Sequence, residues 1–548
     1  MKNITYNKVS AVLFIFCLLL GFVQFWQSYF SMDTDFMAYS DIADAYLEGN
    51  WQYALNSSWP PLFSWLLTIL ITLATSPESE IVLCHLLQLV FFTLSLVCIW
   101  MIIPQLSLFS SGKNLYRKPL KWDMVCFIVI VWVLSTIFLL SCNPIVVLSP
   151  DAVQMPIALA IFSLMLSVRN KGLSTRTSLS LGTLLAIGYY AKTLFFFLWP
   201  IVCFSTILLT KSCWKKRTKY ALIITVVFLA LISPYITAIS IQQNRFTIGD
   251  SGAINYGVFV SNEIRRPRDK DNLLIISEKY PFHDPMIVDR IVWERPQNVH
   301  FKVPDIVDSF ITNVKLLFDS GTRYEPSGFI NKPMALTAIL FFLYLFFWRR
   351  RHFYHDFLLF LPAISAMLMY LVIIVMPRYR MIWLTWINLI SLTKVYYYSQ
   401  FYPRLRNIGL VTLLSILMLF AYKSAFLTSY QIIPEFNVAK TIEQTGAKNL
   451  CIVGLKLSNP LAERIGLMGI GLHWVRHTQC RILAYHFHGQ QFYSLSKEQK
   501  EKIYDKLLAS NIDSVLFVGP TKTDDEWLYV GRSFMDLDYY LLLLNKET

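Results

Sequence analysis

Charge is scarce in this chain. Only 15% of its 548 residues are Asp, Glu, Lys or Arg, against about 25% in soluble domains. That shortage excludes an ordinary water-soluble globule. Apolar sequence takes its place: 55% of residues are hydrophobic and the mean hydropathy is +0.47. Runs of roughly 16–23 apolar residues recur, each near the length that crosses a bilayer. The chain therefore reads as a polytopic membrane protein. The nine cysteines include no CxxC pair, which removes the usual zinc and redox motifs. Most lie inside apolar runs and read as buried free thiols. Cys451 and Cys480 lie in polar sequence, where a disulfide between them is admissible. There is no glycine-rich phosphate loop, so no nucleotide cofactor is expected. There is no internal repeat, which argues against the paired halves of many transporters.

The first apolar run, "VSAVLFIFCLLLGFVQFWQSYF", has no small-residue cleavage site and reads as a retained anchor. Net charge is +14, but the basic residues fall in short loops between apolar runs. That is the positive-inside pattern rather than a nucleic-acid footprint. Lys2 and Lys8 put the N-terminus in the cytoplasm. Lys113, Arg117, Lys118 and Lys121 mark a cytoplasmic loop. So do Arg169, Lys171 and Arg176; Lys211, Lys215, Lys216, Arg217 and Lys219; Arg349 to Arg351; and Lys394, Arg404 and Arg406.

This walk settles one ambiguous segment. If "WPPLFSWLLTILITLAT" (59–75) crossed the membrane, the next span would leave Lys113 to Lys121 on the wrong side. The consistent solution makes 59–75 a helix lying in the outer leaflet, and all of 31–80 faces outside. Spans are expected at about 9–30, 81–103, 122–142, 152–168, 177–191, 193–210, 220–240, 333–348, 355–375, 381–397 and 407–425. These eleven leave the C-terminus outside. Residues 1–429 form the membrane domain, with a large outer loop at 241–332. Residues 430–548 alternate strand-like runs ("NLCIVG", "SVLFVG", "YYLLLL") with helical stretches such as "SKEQKEKIYDKLLAS". They read as a small extracytoplasmic α/β domain. The expected fold class is thus mostly α and polytopic, with a juxtamembrane helix in the first outer loop.

The polar residues that interrupt this pattern gather on the outer side. "MDTDFMAYSDIADAYLEGNW" (32–51) is the densest acidic stretch. Asp41, Asp44 and Glu48 recur at helical spacing and read as the solvated face of a surface helix over 36–48. Asp33 and Asp35 precede that helix. They are helix-capping acids or a carboxylate at a cavity mouth, acting as a general base or a metal ligand. Ser149-Pro150-Asp151 has the form of a helix start, with Ser149 as cap and Pro150 at the first position. Yet it sets Asp151 at the same outer face. Lys192 interrupts "YYAKTLFFFLWP", where an ionisable residue is a functional candidate or a snorkelling lysine. Arg378 and Arg380, in "MPRYRMIWL", lie outside against the charge rule. They suit a phosphate, or an interfacial anchor with Tyr379. Acids and cations together, around apolar helices, suit transfer from a lipid-linked phosphosugar. His473 and His477, one helical turn apart, offer metal ligands or simply support the tail's fold. The sequon "NSS" at 56–58 matters only in a eukaryotic secretory compartment.

In this order, the Asp motif after the first span, "WPPL", "SPD", "AK" and a late "RY" resemble the GT-C superfamily of membrane glycosyltransferases. The likeness is to the group that includes protein O-mannosyltransferases and the bacterial aminoarabinose transferases acting on lipid A. It spans roughly residues 9–400. In that group a proline pair opens a juxtamembrane helix, as Pro60 and Pro61 do here. The resemblance implies a polyprenyl-phosphate sugar as donor and a catalytic carboxylate in the first outer loop, Asp35 first and Asp33 second. It implies Asp151 as a second acid, and a donor phosphate held by Lys192 with Arg378 and Arg380. "DTDF" departs from the commoner Asp-Glu pair and leaves the base and any divalent metal open. The acceptor is a lipid, glycan or protein, and the location a bacterial inner membrane. Competing readings are a flippase or transporter, a polymerase or ligase of lipid-linked saccharides, and a non-catalytic binding relative. Polar residues clustered at one face rather than at the midplane favour the transferase over the transporter.

Overall fold

A computed structural model describes residues 2–29, 34–110, 121–140, 145, 147–261, 273–275, 301–318, 331–346, 350–373, 377–399, 433–453, 481–486, 492, 494–518, 526–532 and 538–544. The chain is mostly helical, as its hydropathy requires. In order the helices are α1 (Lys2–Ser28), α2 (Thr34–Leu47), α3 (Trp51–Ala54), α4 (Pro61–Leu73), α5 (Pro77–Ser110), α6 (Lys121–Leu140), α7 (Asp151–Lys171), α8 (Thr175–Ala191), α9 (Leu194–Leu209), α10 (Trp214–Gln242) and α11 (Ser251–Phe259). Then come α12 (Val303–Phe318), α13 (Asn331–Phe346), α14 (Arg350–Ile373), α15 (Pro377–Ser399), α16 (Ile433–Gln444) and α17 (Lys497–Ala509). Among the described residues, five helical segments are long and apolar enough to cross a membrane. They are Asn7–Ser28, Ser79–Leu106, Asp151–Lys171, Trp214–Gln242 and Tyr354–Ile373. Helices also cover the other expected spans except 407–425, which lies outside the described residues.

Helix α7 is the central pillar. Nearly every side chain from Asp151 to Val168 is buried, as expected of a helix that is apolar all round. It packs on α5, α8 and α15. By contrast α1 and α10 expose Val12, Leu19, Leu222 and Val226, the outward faces a bilayer would cover. Gly182 lets α8 and α10 come close. A Cβ there would meet the Ile224 carbonyl oxygen at 2.8 Å, the small-residue packing typical of helices in lipid.

Residues 34–73 build two helices packed on each other, α2 and α4. Pro60 is the N-cap and Pro61 the first residue of α4, where a missing N–H costs nothing. At thirteen residues, α4 is about 20 Å long, too short for a core of about 30 Å. Its Ser64 hydroxyl donates to the Tyr39 carbonyl of α2 at 2.9 Å. α2 is buried around more of its circumference than a surface helix would be. Phe36, Met37, Tyr39, Ile42, Ala43 and Ala45 are all buried, while Glu48 just beyond it is exposed.

The tail and the long loop 241–332 share one sheet. Its strands are β1 (Leu273–Ile275), β2 (Asn449–Val453), β3 (Arg481–His486), β4 (Ser514–Val518), β5 (Leu528–Arg532) and β6 (Asp538–Leu543), in the order β1-β3-β2-β4-β6-β5. β2 runs parallel to both β3 and β4. β6 is antiparallel to β4 and β5. The three strand-like runs of the tail are β2, β4 and β6. α17 opens with a capping box between Ser496 and Gln499. β1, which no pattern in the sequence announces, comes from loop 241–332 and pairs antiparallel with β3. Cys451 is buried in this sheet, and burial pushes its thiol well above the ordinary range. Cys480, His473 and His477 lie outside the described residues.

Candidate active site

Four residues singled out in separate stretches of sequence meet at one point. Asp35 lies in the first turn of α2, Asp151 is the first residue of α7, Lys192 is the C-cap of α8 and Arg378 opens α15. Arg378 Nη2 donates to Asp35 Oδ2 at 2.5 Å, and Arg378 Nε lies 3.4 Å from Asp151 Oδ2. Lys192 Nζ is bonded to Asp151 Oδ1. Two acids and two cations thus close into a neutral chain: Asp35, Arg378, Asp151, Lys192. Asp33 lies outside the described residues.

Asp151 is the fixed centre of this chain. Its side chain is only 7% exposed. Gln154 Nε2, one turn along α7, donates to Oδ1 at 2.9 Å, and the Ser149 hydroxyl donates to Oδ2 at 3.3 Å. The backbone of Ser149 is anchored in turn, because Gln88 Nε2 of α5 donates to its carbonyl at 3.1 Å. The helix start differs by one position from the sequence expectation. Pro150 is the N-cap, with helical backbone angles, and Asp151 occupies the first helical position. Asp151 thus spends its carboxylate on two cations rather than on capping.

Aromatic rings form the floor beside the cations. Lys192 Nζ sits 3.9 Å from the Tyr379 ring centroid, inside cation–π range. Tyr379 stacks on Tyr370 of α14 at 5.1 Å and 16°. Burial in this apolar surround pulls the Lys192 ammonium below the ordinary lysine range, although Asp151 pulls the other way. Arg380 is buried, two residues beyond Arg378, and at about 100° per residue that turns it to the opposite side of α15.

The turn that carries Lys192 is braced from outside. Tyr189 donates to the Ile248 carbonyl at 2.8 Å. Gly249 packs on Thr193, where a Cβ would meet Thr193 Cγ2 at 2.8 Å, and its φ is +122°, a conformation suited to glycine. Asp250 then ties the segment to Ser57, between α3 and α4. It accepts from Ser57 Oγ at 2.6 Å, Arg245 Nη2 at 2.6 Å and Thr247 Oγ1 at 3.1 Å, and its N–H donates to the Ser57 carbonyl at 2.6 Å. Burial alone would raise the Asp250 carboxyl, but these donors together hold it below the ordinary range. The sequon reading of 56–58 is overturned here. Asn56 is 7% exposed, and its Oδ1 accepts from the N–H groups of Ser58 and Trp59 at 2.8 and 2.9 Å. It is an internal turn former rather than a glycan acceptor.

Sequence reasoning missed a second ion cluster at the far ends of the same helices. Asp356 of α14 lies 3.4 Å from Arg169 Nη2 of α7 and 3.2 Å from Lys394 Nζ of α15. Arg169 and Lys394 had been assigned to basic loops. They lie in helices and are largely buried instead. The missed signal was Asp356 itself, an acid beside the basic run at 349–351.

Among the described residues no group of three or more His, Cys, Asp or Glu is placed to hold a metal ion. Asp35 and Asp151 would meet a divalent ion only by giving up their guanidinium and ammonium partners. The pair as built does not fit a resident metal, and no step is derived through one.

No protein-family model matches the chain, and no curated protein matches it. Among solved structures, the chain is similar to the crystal structure of ArnT from Cupriavidus metallidurans bound to undecaprenyl phosphate. Identity is 11%, 98% of each chain is covered and the TM-score is 0.41.

Proposed function

We propose that this chain is a membrane glycosyltransferase that moves a sugar from a polyprenyl-phosphate donor to an extracytoplasmic acceptor. One observation carries the reading. Asp35, Asp151, Lys192 and Arg378 converge at one point, at the ends of four helices. A donor of this class needs that combination. Lys192 and Arg378 hold the phosphate at the bilayer surface, the arginine through paired N–H groups. Asp35, at 27% exposure the most accessible of the four, takes the proton from the acceptor hydroxyl. The acceptor oxygen attacks the anomeric carbon, the bond from that carbon to the phosphate oxygen breaks, and the polyprenyl phosphate leaves with the electron pair. The two cations stabilise the charge that develops on it. Asp151 holds both cations in register. The known structure of ArnT with undecaprenyl phosphate is in keeping with this choice of donor.

The test is transfer from a radiolabelled polyprenyl-phosphate sugar pool in membranes, comparing wild type with Asp35→Asn at equal expression. Loss of at least about a hundredfold, the lower end of the usual range for a general base, is expected with normal insertion. Undiminished transfer would remove Asp35 from the role of base.

A further inference from the structure

We infer that the donor's phosphate unmasks the base: on binding, it takes Arg378 from Asp35, so that Asp35 is competent only after the donor has arrived. This rests on the donor reading above. Arg378 Nη2 is spent on Asp35 Oδ2 at 2.5 Å, and its Nε faces Asp151 at 3.4 Å. A guanidinium edge turned to two carboxylates cannot also present paired N–H groups to a phosphate. A carboxylate oxygen that accepts from a guanidinium is likewise badly placed to accept an acceptor's proton. For that same edge to take the phosphate, one of the two contacts has to open.

The surroundings decide which. Asp151 is 7% exposed, and Lys192, Gln154 and Ser149 hold it besides Arg378. Asp35 is 27% exposed and sits in the first turn of α2. Opening at Asp35 exposes a carboxylate already near water. Opening at Asp151 would leave a buried carboxylate with one cation in place of two. Asp151 is therefore the hinge and Asp35 the exchangeable partner. Lys192 supplies the second contact to the phosphate while it stays over Tyr379. The acceptor then follows the donor, because the base it needs does not exist before the donor binds. The device also restrains the base from activating water when no acceptor is bound.

The exchange makes a counterintuitive prediction. Asp35 competes with the phosphate for Arg378, so removing its charge should tighten donor binding while abolishing transfer. Farnesyl phosphate, a prenyl monophosphate without sugar, is the probe, titrated into the full-length protein in detergent. Asp35→Asn should bind it about tenfold more tightly than wild type, since the binding-competent form is no longer a minor population. Arg378→Gln should bind it more weakly. If Asp35→Asn binds as wild type does, or less tightly, while Arg378→Gln is weakened, the exchange is wrong and the donor reading survives. If well-folded wild type fails to bind farnesyl phosphate, both fall together. A second measurement needs no variant. Carbodiimide labelling of Asp35 in the wild type, read by peptide mass, should rise when farnesyl phosphate is added. Unchanged or reduced labelling would overturn the inference even if Asp35→Asn cannot be purified.

Discussion

Asp356→Asn separates the frame of this protein from its chemistry. Asp356 is 3% exposed and is flanked by Arg169 at 3.4 Å and Lys394 at 3.2 Å, themselves 14% and 7% exposed. At an effective dielectric constant of about 20, each contact represents about 5 kcal/mol of Coulomb attraction. Most of that offsets the desolvation of three charges. Removing the carboxylate leaves two buried cations facing each other without their shared counterion. The cost of breaking such a cluster is about 3–5 kcal/mol, and the asparagine amide returns a small part as hydrogen bonds. The expected result is a melting midpoint in detergent lowered by several degrees, with transfer per folded molecule near wild type. Asp356→Asn combined with Lys394→Met should recover much of the loss, because one of the two stranded cations is gone. A melting midpoint unchanged in Asp356→Asn would refute the claim that this cluster fastens α7, α14 and α15. A loss of transfer in molecules that remain folded would place Asp356 in the catalytic path.

The remaining predictions concern the site and its brace. Lys192 has a folded pKa below the ordinary lysine value because it is buried. Its charge, and with it the hold on the donor phosphate, is lost as pH rises through that lowered value. Donor kcat/KM should therefore fall on the alkaline side before an ordinary lysine would titrate, at about 10.4. Lys192→Arg keeps the charge and should abolish that limb, and a limb unchanged in Lys192→Arg would assign it to another group. Gly249→Ala forces a left-handed backbone on an alanine and drives its Cβ into Thr193, at a cost of about 1–3 kcal/mol. Because Thr193 neighbours Lys192, the donor KM should rise more than kcat falls, and equal KM values would show that the brace does not position the lysine.

The helical frame was legible in the sequence because bilayer length and charge asymmetry are strong constraints. The case of α4 is the clearest. Neither its hydropathy nor its length decided its role, but the sidedness of Lys113 to Lys121 did, and a thirteen-residue helix is what results. The four site residues were legible because each breaks an apolar pattern at a helix end. Their contacts were not legible, since Asp35 and Arg378 lie 343 residues apart and only packing brings them together. Gln154 was readable in principle, one turn from Asp151 on the same helix face. Arg378 and Arg380 look equivalent in the motif, but about 200° of helix rotation turns them to different sides of α15. Arg169 and Lys394 misled because the positive-inside rule reads every basic residue near a span as solvated. β1 was invisible because three residues carry too little pattern to announce a strand.

The two ion clusters together fix where the membrane should lie, and this can be checked independently of any activity. α7 and α15 run parallel, with Asp151 and Arg378 at their starts and Arg169 and Lys394 near their ends. Eighteen residues separate Asp151 from Arg169, or about 27 Å of helix, close to the hydrocarbon thickness of about 30 Å. The candidate site and the Asp356 cluster then sit at opposite faces, with the Asp356 cluster on the side the charge rule assigns to the cytoplasm. Cys213, exposed just before α10, belongs to that side. Glu48, exposed after α2, belongs to the site's side. A membrane-impermeant maleimide, read peptide by peptide, should modify Cys213 only in inverted vesicles and a Glu48→Cys variant only in right-side-out ones. The reverse pattern would turn the site toward the cytoplasm. There a donor would need no flipping across the bilayer before use, and the extracytoplasmic acceptor would have to be abandoned. Modification of both from one side would show that the two clusters do not bracket the bilayer, and the reading of α7 as a full crossing would fail with them.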